Sequence, residues 1–281
     1  MSLPETLKLV ALQTEPSPNL TDSLLQIQSL LEKVLSEEGA FDCAVLPEYA
    51  FGTLREWLTS KQDTDQQIKS IQTKLKQLAK TYAITIVAGS MPFQTEKQTW
   101  RNRCFIFSKS GKILGSYDKH HPFRTEKRLG LEPGTTLPVF TVNGLRMAVV
   151  ICSDLWFPDL LYKLSLKIDF LAVPTMTTVL DSQHVNYGQW AWRSLVSVRS
   201  KEYSIPIVSA DQASREYAPG IYTCGSSCIA DPSYRFSNNE GFHTQALRIT
   251  PNEHGGLVMS KISLKEIKEY SAYRREVGLR E

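Results

Sequence analysis

The chain of 281 residues is long enough to form one large α/β unit with a substantial core. Its 32 lysines and arginines nearly balance 29 aspartates and glutamates, so the net charge is +3, and the charges are interspersed along the chain. This distribution is unlike the basic blocks of nucleic-acid and membrane binders, so we expect neither kind of partner. The sequence has no apolar run long enough to span a bilayer.

The five cysteines are sparse and odd in number, which makes a poor disulfide framework. The N-terminal residues lack the basic segment and apolar core of a secretion signal. We therefore expect a reducing, cytoplasmic location. Cys224 and Cys228 have the wrong spacing for a zinc or redox pair, and we expect no metal there.

In the first third of the chain, predicted strands and helices alternate. Short apolar runs predict buried strands at 7–13, 42–48 and 84–90. Apolar residues at helical spacing predict helices over 20–39 and 63–83, the first ending at Gly39.

The middle of the chain predicts antiparallel hairpins, and the last part returns to alternating elements. Turns at 109–111 and at Asn143-Gly144 separate two pairs of strand-like runs. Further elements follow in chain order: a helix at 158–167, a strand at 169–175, a helix at 190–203, strands at 205–211 and 225–232, and a polar helix at 264–279. Without repeats or linkers, this pattern predicts one domain over 1–281, of layered α/β class with mixed sheets.

Three potentially reactive side chains stand where predicted strands end: Glu48, Lys119 and Cys152. Ligand sites in open α/β sheets gather at such ends, so one fold can unite them. A cysteine attacks as thiolate and needs a base, which Glu48 can supply, while the ammonium of Lys119 can stabilise an oxyanion. Each residue alone also fits an ordinary role: core packing for the thiol, a solvated hairpin for the lysine and a loop contact for the glutamate.

The sequence around these residues resembles the nitrilase superfamily of carbon–nitrogen hydrolases. The segments LPEYAFG, GSYDKHHPF and VVICSDLWFPD resemble that family's Glu, Lys and Cys motifs, in its order and at its usual spacing. WRSLVSVRSKEYSIPIVSADQ resembles its late helix and strand, and the similarity extends from LKLVALQ to GSSCIADP. The resemblance implies a four-layer α-β-β-α sandwich with mixed sheets.

The resemblance also implies a role for each motif residue. It makes Glu48 the general base, Cys152 the nucleophile and Lys119 the group that stabilises the oxyanion together with a backbone N–H. A second family glutamate can be Glu126 or Glu132, and Glu126 stands at the family-like distance before the Pro-Gly pair. Its implied role is to position the substrate and orient the lysine. No metal or organic cofactor is implied.

Assembly follows from the same resemblance. Members of the superfamily commonly pair through the helix after the nucleophile and the late Trp-containing helix, which implies a homodimer or a higher homo-oligomer. Their C-terminal segments often reach across a dimer, so the segment 264–281 is a candidate for packing on a partner subunit.

The residues after the nucleophile bear on the substrate. Cys152-Ser153-Asp154 differs from the Cys-Trp-Glu of nitrile-cleaving members, which favours an amide. Trp156 replaces an arginine that can bind a substrate carboxylate in ω-amidase-like members, and it resembles the carbamoylputrescine amidases instead. Trp156 can form an aromatic wall of the substrate pocket, or it can be an ordinary packing residue. The candidate substrate contacts are Ser153, Trp156, Tyr49, Thr175 and Met176.

The expected function is hydrolysis of a small linear amide through a cysteine thioester, with release of ammonia or an amine. The alternatives are an N-carbamoyl-amine hydrolase and a catalytically silent binding member of the fold.

Overall fold

The computed structural model describes residues 4–15, 17, 19–59, 64–233, 247–249 and 255–279, with the backbone alone for 247–249. Within these residues the α-helices are α1 (Leu20–Glu38), α2 (Leu54–Thr59), α3 (Thr64–Tyr82), α4 (Arg124–Arg128), α5 (Pro158–Ser165), α6 (Val185–Tyr203) and α7 (Leu264–Glu276). The side chain of Asn19 caps α1 by accepting the Thr21 N–H at 2.9 Å, and Gly39 ends the helix at φ 74°.

The strands form two large sheets and one small one. They are β1 (Thr6–Gln13), β2 (Cys43–Val45), β3 (Thr85–Val87), β4 (Met91–Gln94), β5 (Trp100–Phe107), β6 (Ile113–Asp118), β7 (Phe140–Val142), β8 (Leu145–Val149), β9 (Phe170–Pro174), β10 (Thr178–Leu180), β11 (Ile207–Ala210), β12 (Arg215–Ala218), β13 (Ile221–Thr223), β14 (Cys228–Ala230), β15 (Leu247–Ile249) and β16 (Gly256–Ser263). The first sheet has the order β16-β1-β2-β3-β5-β4, with β6 also paired to β5. The second has the order β15-β14-β11-β9-β8-β7, and β10, β13 and β12 form the small sheet.

Both large sheets mix parallel and antiparallel pairs. In the first, β2 lies parallel to both β1 and β3, while β16 and β5 add antiparallel partners. In the second, β9 lies parallel to both β8 and β11, while β7 and β14 are antiparallel additions. The prediction of mixed rather than purely parallel pairing is confirmed.

Three buried apolar clusters define four layers. The central cluster joins the facing sides of the two sheets, with Leu9 and Val45 from the first and Met147 and Val208 from the second. The other clusters lie on the outer faces: α1 and α3 cover the first sheet, and α5 and α6 cover the second. This is the predicted α-β-β-α sandwich, in which each helix buries one apolar side against a sheet.

Local turn chemistry explains both predicted hairpins. Asn143 and Gly144 both adopt positive φ, 49° and 84°, and connect β7 to antiparallel β8. A two-residue hairpin turn of this kind requires positive φ at both positions, which asparagine and glycine tolerate best. Gly111, at φ 77°, takes the corresponding place between β5 and β6.

The structure also contains elements that the sequence reading did not single out, among them the short helices α2 and α4 and the long strand β16. β16 pairs with β1 over eight residues, from Thr6 opposite Ser263 to Gln13 opposite Gly256. Predicted strands are longer than the observed ones where a polar loop follows, as in 42–48, of which only Cys43–Val45 pairs as a strand.

The C-terminal helix α7 packs first on its own chain. Leu264 and Ile267 belong to the central cluster, whereas Tyr273, Val277 and Leu279 beyond them are exposed by 44% or more. Contact of the segment 264–281 with a partner therefore stays a prediction for its distal part. No helix of the described residues has the length and apolarity needed to cross a membrane.

Candidate active site

Glu48 lies in a loop just beyond β2, and residues that follow strands of the second sheet hydrogen-bond to the backbone of this loop. The Glu48 N–H donates to the Thr175 carbonyl at 3.1 Å, and Gln212 Nε2 donates to the Glu48 carbonyl at 2.8 Å. Gly89, at φ +63°, packs against the same loop: a Cβ on it would lie 2.0 Å from the Pro47 carbonyl oxygen. Glycine is therefore required at this approach, and it helps to fix where Glu48 enters the site.

Lys119 follows β6 directly and is 1% exposed. Its backbone N–H donates to the Asn102 carbonyl at 2.9 Å, and its carbonyl accepts the Gly134 N–H at 2.8 Å. Its Nζ lies 2.7 Å from Glu48 Oε1 and 2.7 Å from Glu126 Oε2. One buried ammonium thus bridges two buried carboxylates.

Glu126 comes from the short helix α4 and is 3% exposed. Its Oε1 accepts the Tyr49 hydroxyl at 2.6 Å, and its Oε2 accepts the backbone N–H of Phe123. Glu132 is exposed. Of the two candidate glutamates, Glu126 is the one beside Lys119.

Cys152 begins a 3₁₀ turn, Cys152–Trp156, at the end of β8 and is partly buried. Its φ of 44° is uncommon for a residue with a side chain and is the kind of strain that functional sites hold. The Sγ atom lies 3.7 Å from the Met176 carbonyl oxygen, and the thiol is close enough to Glu48 and Lys119 for their charges to shift its pKa. The helix α5 begins shortly afterwards at Pro158, as predicted.

The turn that begins at Cys152 is held by the buried carboxylate of Asp154. Asp154 Oδ1 accepts the N–H of His121 at 2.7 Å and contacts its Nδ1 at 3.0 Å. Asp154 Oδ2 accepts the Tyr117 hydroxyl at 2.8 Å and the Ile151 N–H at 3.0 Å. The Ser153 hydroxyl donates to the His121 carbonyl at 2.6 Å. His121 therefore supports the turn, and the Ser153 hydroxyl supports it in the same way.

Burial and charge shift the pKa values of the two central groups. Burial raises the pKa of Glu48 from 4.5 to about 7; Lys119 lowers it and the nearby Glu126 raises it further. Burial alone would lower the pKa of Lys119, but the two carboxylates outweigh it and raise that pKa above its usual value. The lysine is therefore charged at neutral pH, while Glu48 is poised between its two forms.

The thiol and the phenol in the site are both held in their protonated forms. Burial, followed by the negative charge of Glu48, raises the pKa of Cys152, and Lys119 only partly opposes this. Burial and the carboxylates of Glu126 and Glu48 raise the pKa of Tyr49 well above its usual value, so its hydroxyl remains a donor. A thiol in this state needs a base at the moment of attack.

Two of the predicted substrate contacts lie in one apolar cluster at the site. Tyr49, Leu54 and Leu131 are buried together there. The partly buried side chains packed against them are Leu58, Trp100 and Met176. Tyr49 adjoins Glu48 in the chain, and the Met176 carbonyl contacts the Cys152 sulfur, so this cluster forms an apolar wall beside the reactive groups.

Of the three remaining candidates, Ser153 is engaged in the turn, and the other two differ in exposure. Thr175 is fully buried, and its carbonyl holds the Glu48 loop. Trp156 ends the turn that follows Cys152 and is 55% exposed, so more than half of its surface is open to solvent in the isolated chain.

Asn102, which the sequence reading missed, lies inside the cluster of charges. It is fully buried on β5, and its Nδ2 lies 2.8 Å from Glu48 Oε1, 2.7 Å from Glu126 Oε1 and 3.1 Å from the Tyr49 hydroxyl. The signal in the sequence is faint: one uncharged polar residue in the strand WRNRCFIF. Gln212 was missed for the same reason, since a buried amide has no motif of its own.

A sequence profile described as carbon-nitrogen hydrolase matches residues 8–269, nearly the whole chain. The chain belongs to the carbon-nitrogen hydrolase family. The resemblance to the nitrilase superfamily is thereby confirmed, and so is the expectation of a hydrolase that acts on non-peptide carbon–nitrogen bonds.

Relatives of this carbon–nitrogen hydrolase include two enzymes with amidase names. It is 25% identical over 253 residues to the 2-oxoglutaramate amidase of Bacillus subtilis (strain 168), covering 89% of this chain and 87% of that protein. It is 27% identical over 240 residues to a deaminated glutathione amidase of Synechocystis sp., covering 79% and 83%.

Solved structures match the fold over almost the full length. Nit3 of Saccharomyces cerevisiae, a member of branch 10 of the nitrilase superfamily, matches with a TM-score of 0.79 at 19% identity, covering 99% of this chain and 97% of that one. A carbon-nitrogen hydrolase from Helicobacter pylori G27 matches with a TM-score of 0.80 at 17% identity, covering 98% and 94%. The predicted fold class of this carbon–nitrogen hydrolase is confirmed.

The cysteines outside the site form no cluster with chemistry of its own. Cys43, Cys104, Cys224 and Cys228 are free and buried. Across the described ranges, no group of three or more His, Cys, Asp or Glu side chains is arranged to hold a metal ion.

Proposed function

We propose that this carbon–nitrogen hydrolase is an amidase that cleaves a small linear amide through a thioester on Cys152, releasing ammonia or an amine. The observation that carries the proposal is that Lys119 Nζ lies 2.7 Å from both Glu48 and Glu126, with the Cys152 thiol close enough for the charges of Glu48 and Lys119 to shift its pKa. A thiol, a base with a pKa near neutrality and a permanent cation are the parts that acyl transfer requires.

The first half of the reaction forms the thioester. Cys152 Sγ attacks the amide carbon while Glu48 takes the thiol proton, which is needed because burial keeps the thiol protonated. The carbonyl oxygen becomes an oxyanion, and Lys119 Nζ together with the Ser153 backbone N–H stabilises it. Glu48 then gives its proton to the leaving nitrogen as the C–N bond breaks, and ammonia or an amine departs.

The second half releases the acid. Glu48, ionised again, takes a proton from water as the water oxygen attacks the thioester carbon. The C–S bond breaks, the proton returns to the sulfur, and the free enzyme is restored. Glu126 keeps Lys119 in place throughout, since the two are 2.7 Å apart and buried together.

The site supports a substrate with a short apolar section next to the amide. Such a section can pack on Tyr49 and Met176, which share the apolar wall beside Cys152. Ser153, Thr175 and Trp156 remain proposed contacts. The names of the two relatives place 2-oxoglutaramate and deaminated glutathione first among the amides to be tested.

The test is ammonia release from a panel of amides, N-carbamoyl amines and nitriles, followed by intact-mass analysis after brief incubation with each active compound. We expect turnover of at least one amide and a mass increase equal to its acyl group on Cys152. The variant Cys152→Ala should lose both, whereas Cys228→Ala, at a buried cysteine of the second sheet, should keep both.

Three results would redirect the proposal. If Cys152→Ala turned over substrate at the wild-type rate, Cys152 would not be the nucleophile. Turnover of N-carbamoyl amines without any amide would favour the carbamoyl hydrolase alternative. A complete lack of both ammonia and acyl adduct across the panel would favour a binding protein that keeps the fold.

We further propose that the protein is a single domain that acts in the cytoplasm as a homo-oligomer. Exposed aromatic and aliphatic side chains on α5 and α6 support the oligomer. Among them are Tyr162 (46% exposed), Leu166 just after α5 (52%), Tyr187 (62%), Trp190 (63%) and Val198 (57%). Large apolar side chains grouped on neighbouring helices are typical of protein interfaces.

A further inference from the structure

Asn102 has no role in the reaction as described above, yet it contacts more of the charged cluster than Cys152 does. Its single Nδ2 atom lies 2.8 Å from Glu48 Oε1 and 2.7 Å from Glu126 Oε1. The amide therefore forms a second link between the two carboxylates, in addition to Lys119 Nζ, which lies 2.7 Å from each. The two glutamates, the lysine and the asparagine form a closed ring.

The orientation of the amide follows from its surroundings. Oxygen and nitrogen of an Asn side chain are assigned by their hydrogen bonds, and here the neighbours of Nδ2 are two carboxylate oxygens. The reverse orientation would place the amide oxygen against both of them. In the observed one, Asn102 Oδ1 is buried without a partner among the described residues. An unpaired buried acceptor is unfavourable for stability, so packing alone does not favour an amide at this position.

The amide and the lysine share one acceptor oxygen on Glu48. Lys119 and Asn102 both donate to Oε1 of Glu48, so Oε2 is the oxygen left to accept a proton from Cys152. In addition, the Asn102 carbonyl accepts the backbone N–H of Lys119 at 2.9 Å. One residue thus holds the base by its side chain and the cation by its backbone.

We propose that Asn102 is a positioning residue for proton transfer from Cys152, because its amide fixes the Glu48 carboxylate with Oε2 toward the thiol and supplies a second donor to its ionised form. This inference rests on the proposed amidase function for its main readout. A hydrogen-bond donor to a carboxylate favours the charged form of that carboxylate. Because Lys119 is shared by the two buried carboxylates of Glu48 and Glu126, a further donor is needed to stabilise ionised Glu48.

The charged and titratable groups facing Glu48 come from several elements. They are Lys119 at the end of β6, Glu126 of α4, Cys152 after β8, Tyr49 next in the chain and Tyr217 of β12. A substitution at Asn102 leaves all of them in the protein. A change in the titration of Glu48 in such a variant therefore reports the loss of the amide donor.

The test is the pH profile of kcat/KM for Asn102→Leu, which keeps the approximate volume of the side chain and removes the donor. Loss of a hydrogen bond to a charged group should move the rising limb to higher pH by about one unit. The ratio of wild-type to variant kcat/KM should be about tenfold larger at about pH 6 than at about pH 9, because Glu48 is ionised in both proteins at the higher pH.

The matched control is Gln189→Leu. Gln189 is also a buried amide, and its Nε2 donates to the Cys224 carbonyl at 2.7 Å rather than to a carboxylate. The rising limb of its kcat/KM profile should lie at the same pH as in the wild type. If Asn102→Leu lowers kcat/KM by the same factor at every pH, the residue only supports the fold and the proposal is wrong. Should Asn102→Leu fail to fold, Asn102→Ala removes the same donor without adding bulk, and the same shift is expected.

A second readout separates this inference from the proposed function. The rate of iodoacetamide alkylation at Cys152, followed by peptide mass, needs no substrate turnover, and the other four cysteines are buried. The rise of the alkylation rate with pH should shift to higher pH in Asn102→Leu, in the same direction as the rise of kcat/KM. If the wild type cleaves no amide, the proposed function fails, and the alkylation profile alone decides for or against Asn102.

Discussion

Replacing Glu48 by glutamine is expected to stabilise the protein at alkaline pH while abolishing its activity. The carboxyl is 2% exposed, and burial is the main reason that its pKa is raised from 4.5 to about 7. Between these two values the folded protein binds the proton more readily than the unfolded chain does. The stability of the wild type therefore falls as the pH rises through this window, and the stability of Glu48→Gln does not share that fall.

The size of the effect follows from the shift itself. Each pKa unit corresponds to about 1.4 kcal/mol. Between about pH 5 and about pH 8, a group that titrates near 4.5 when unfolded and near 7 when folded loses about 2 to 3 kcal/mol of folding free energy. Part of the titration of the unfolded chain lies below this interval, so the change is somewhat smaller than the full shift. At about pH 5 both proteins carry a mostly neutral side chain at this position, and their stabilities should be closer.

The assay is urea unfolding of wild type and Glu48→Gln at both pH values, with the free energy of unfolding compared between them. Glu132→Gln is the control, since Glu132 is exposed and its removal should leave the pH dependence unchanged. The kcat of Glu48→Gln should fall by at least about a hundredfold, because the base is lost. A stability difference that stays constant between the two pH values would refute the reasoning.

Three further outcomes are expected. The kcat/KM of the wild type should rise with pH through about 7, because Glu48 must be ionised to accept the thiol proton; a flat profile between about pH 6 and about pH 8 would contradict this. Gly89→Ala should lose roughly 3 kcal/mol or more, measured by urea unfolding, because a Cβ at φ +63° would meet the Pro47 carbonyl at 2.0 Å. Trp190→Glu should lower the oligomeric state measured by light scattering, whereas Lys33→Glu, on the exposed face of α1, should not.

The elements that were predicted correctly carry their signal locally. The helices α1 and α3 show an apolar face at helical spacing, and the structure buries that face against the first sheet. The hairpin at Asn143-Gly144 follows from two residues that accept positive φ. Each of these can be read from a window of a few residues, because the physics that forms the element acts within that window.

The missed elements depend on partners far away in the chain. β16 is a strand because β1 offers it an unpaired edge, more than two hundred residues earlier in sequence. The buried amides of Asn102 and Gln212 likewise have a role only once Glu48 lies beside them. Polar residues inside apolar strands are the available signal, but they do not indicate which group they will meet.

The site draws its reactive groups from both sheets, which explains why their chemistry could be predicted before their geometry. Glu48 and Lys119 follow strands of the first sheet, and Cys152 follows β8 of the second. The distance from the Glu48 carboxylate to the Cys152 thiol is therefore set by how the two sheets pack, and this packing depends on the whole central cluster. The contact of the Glu48 N–H with the Thr175 carbonyl ties the two sheets together beside the Glu48 carboxylate. Motifs identify such residues one by one, whereas their spacing is a property of the core.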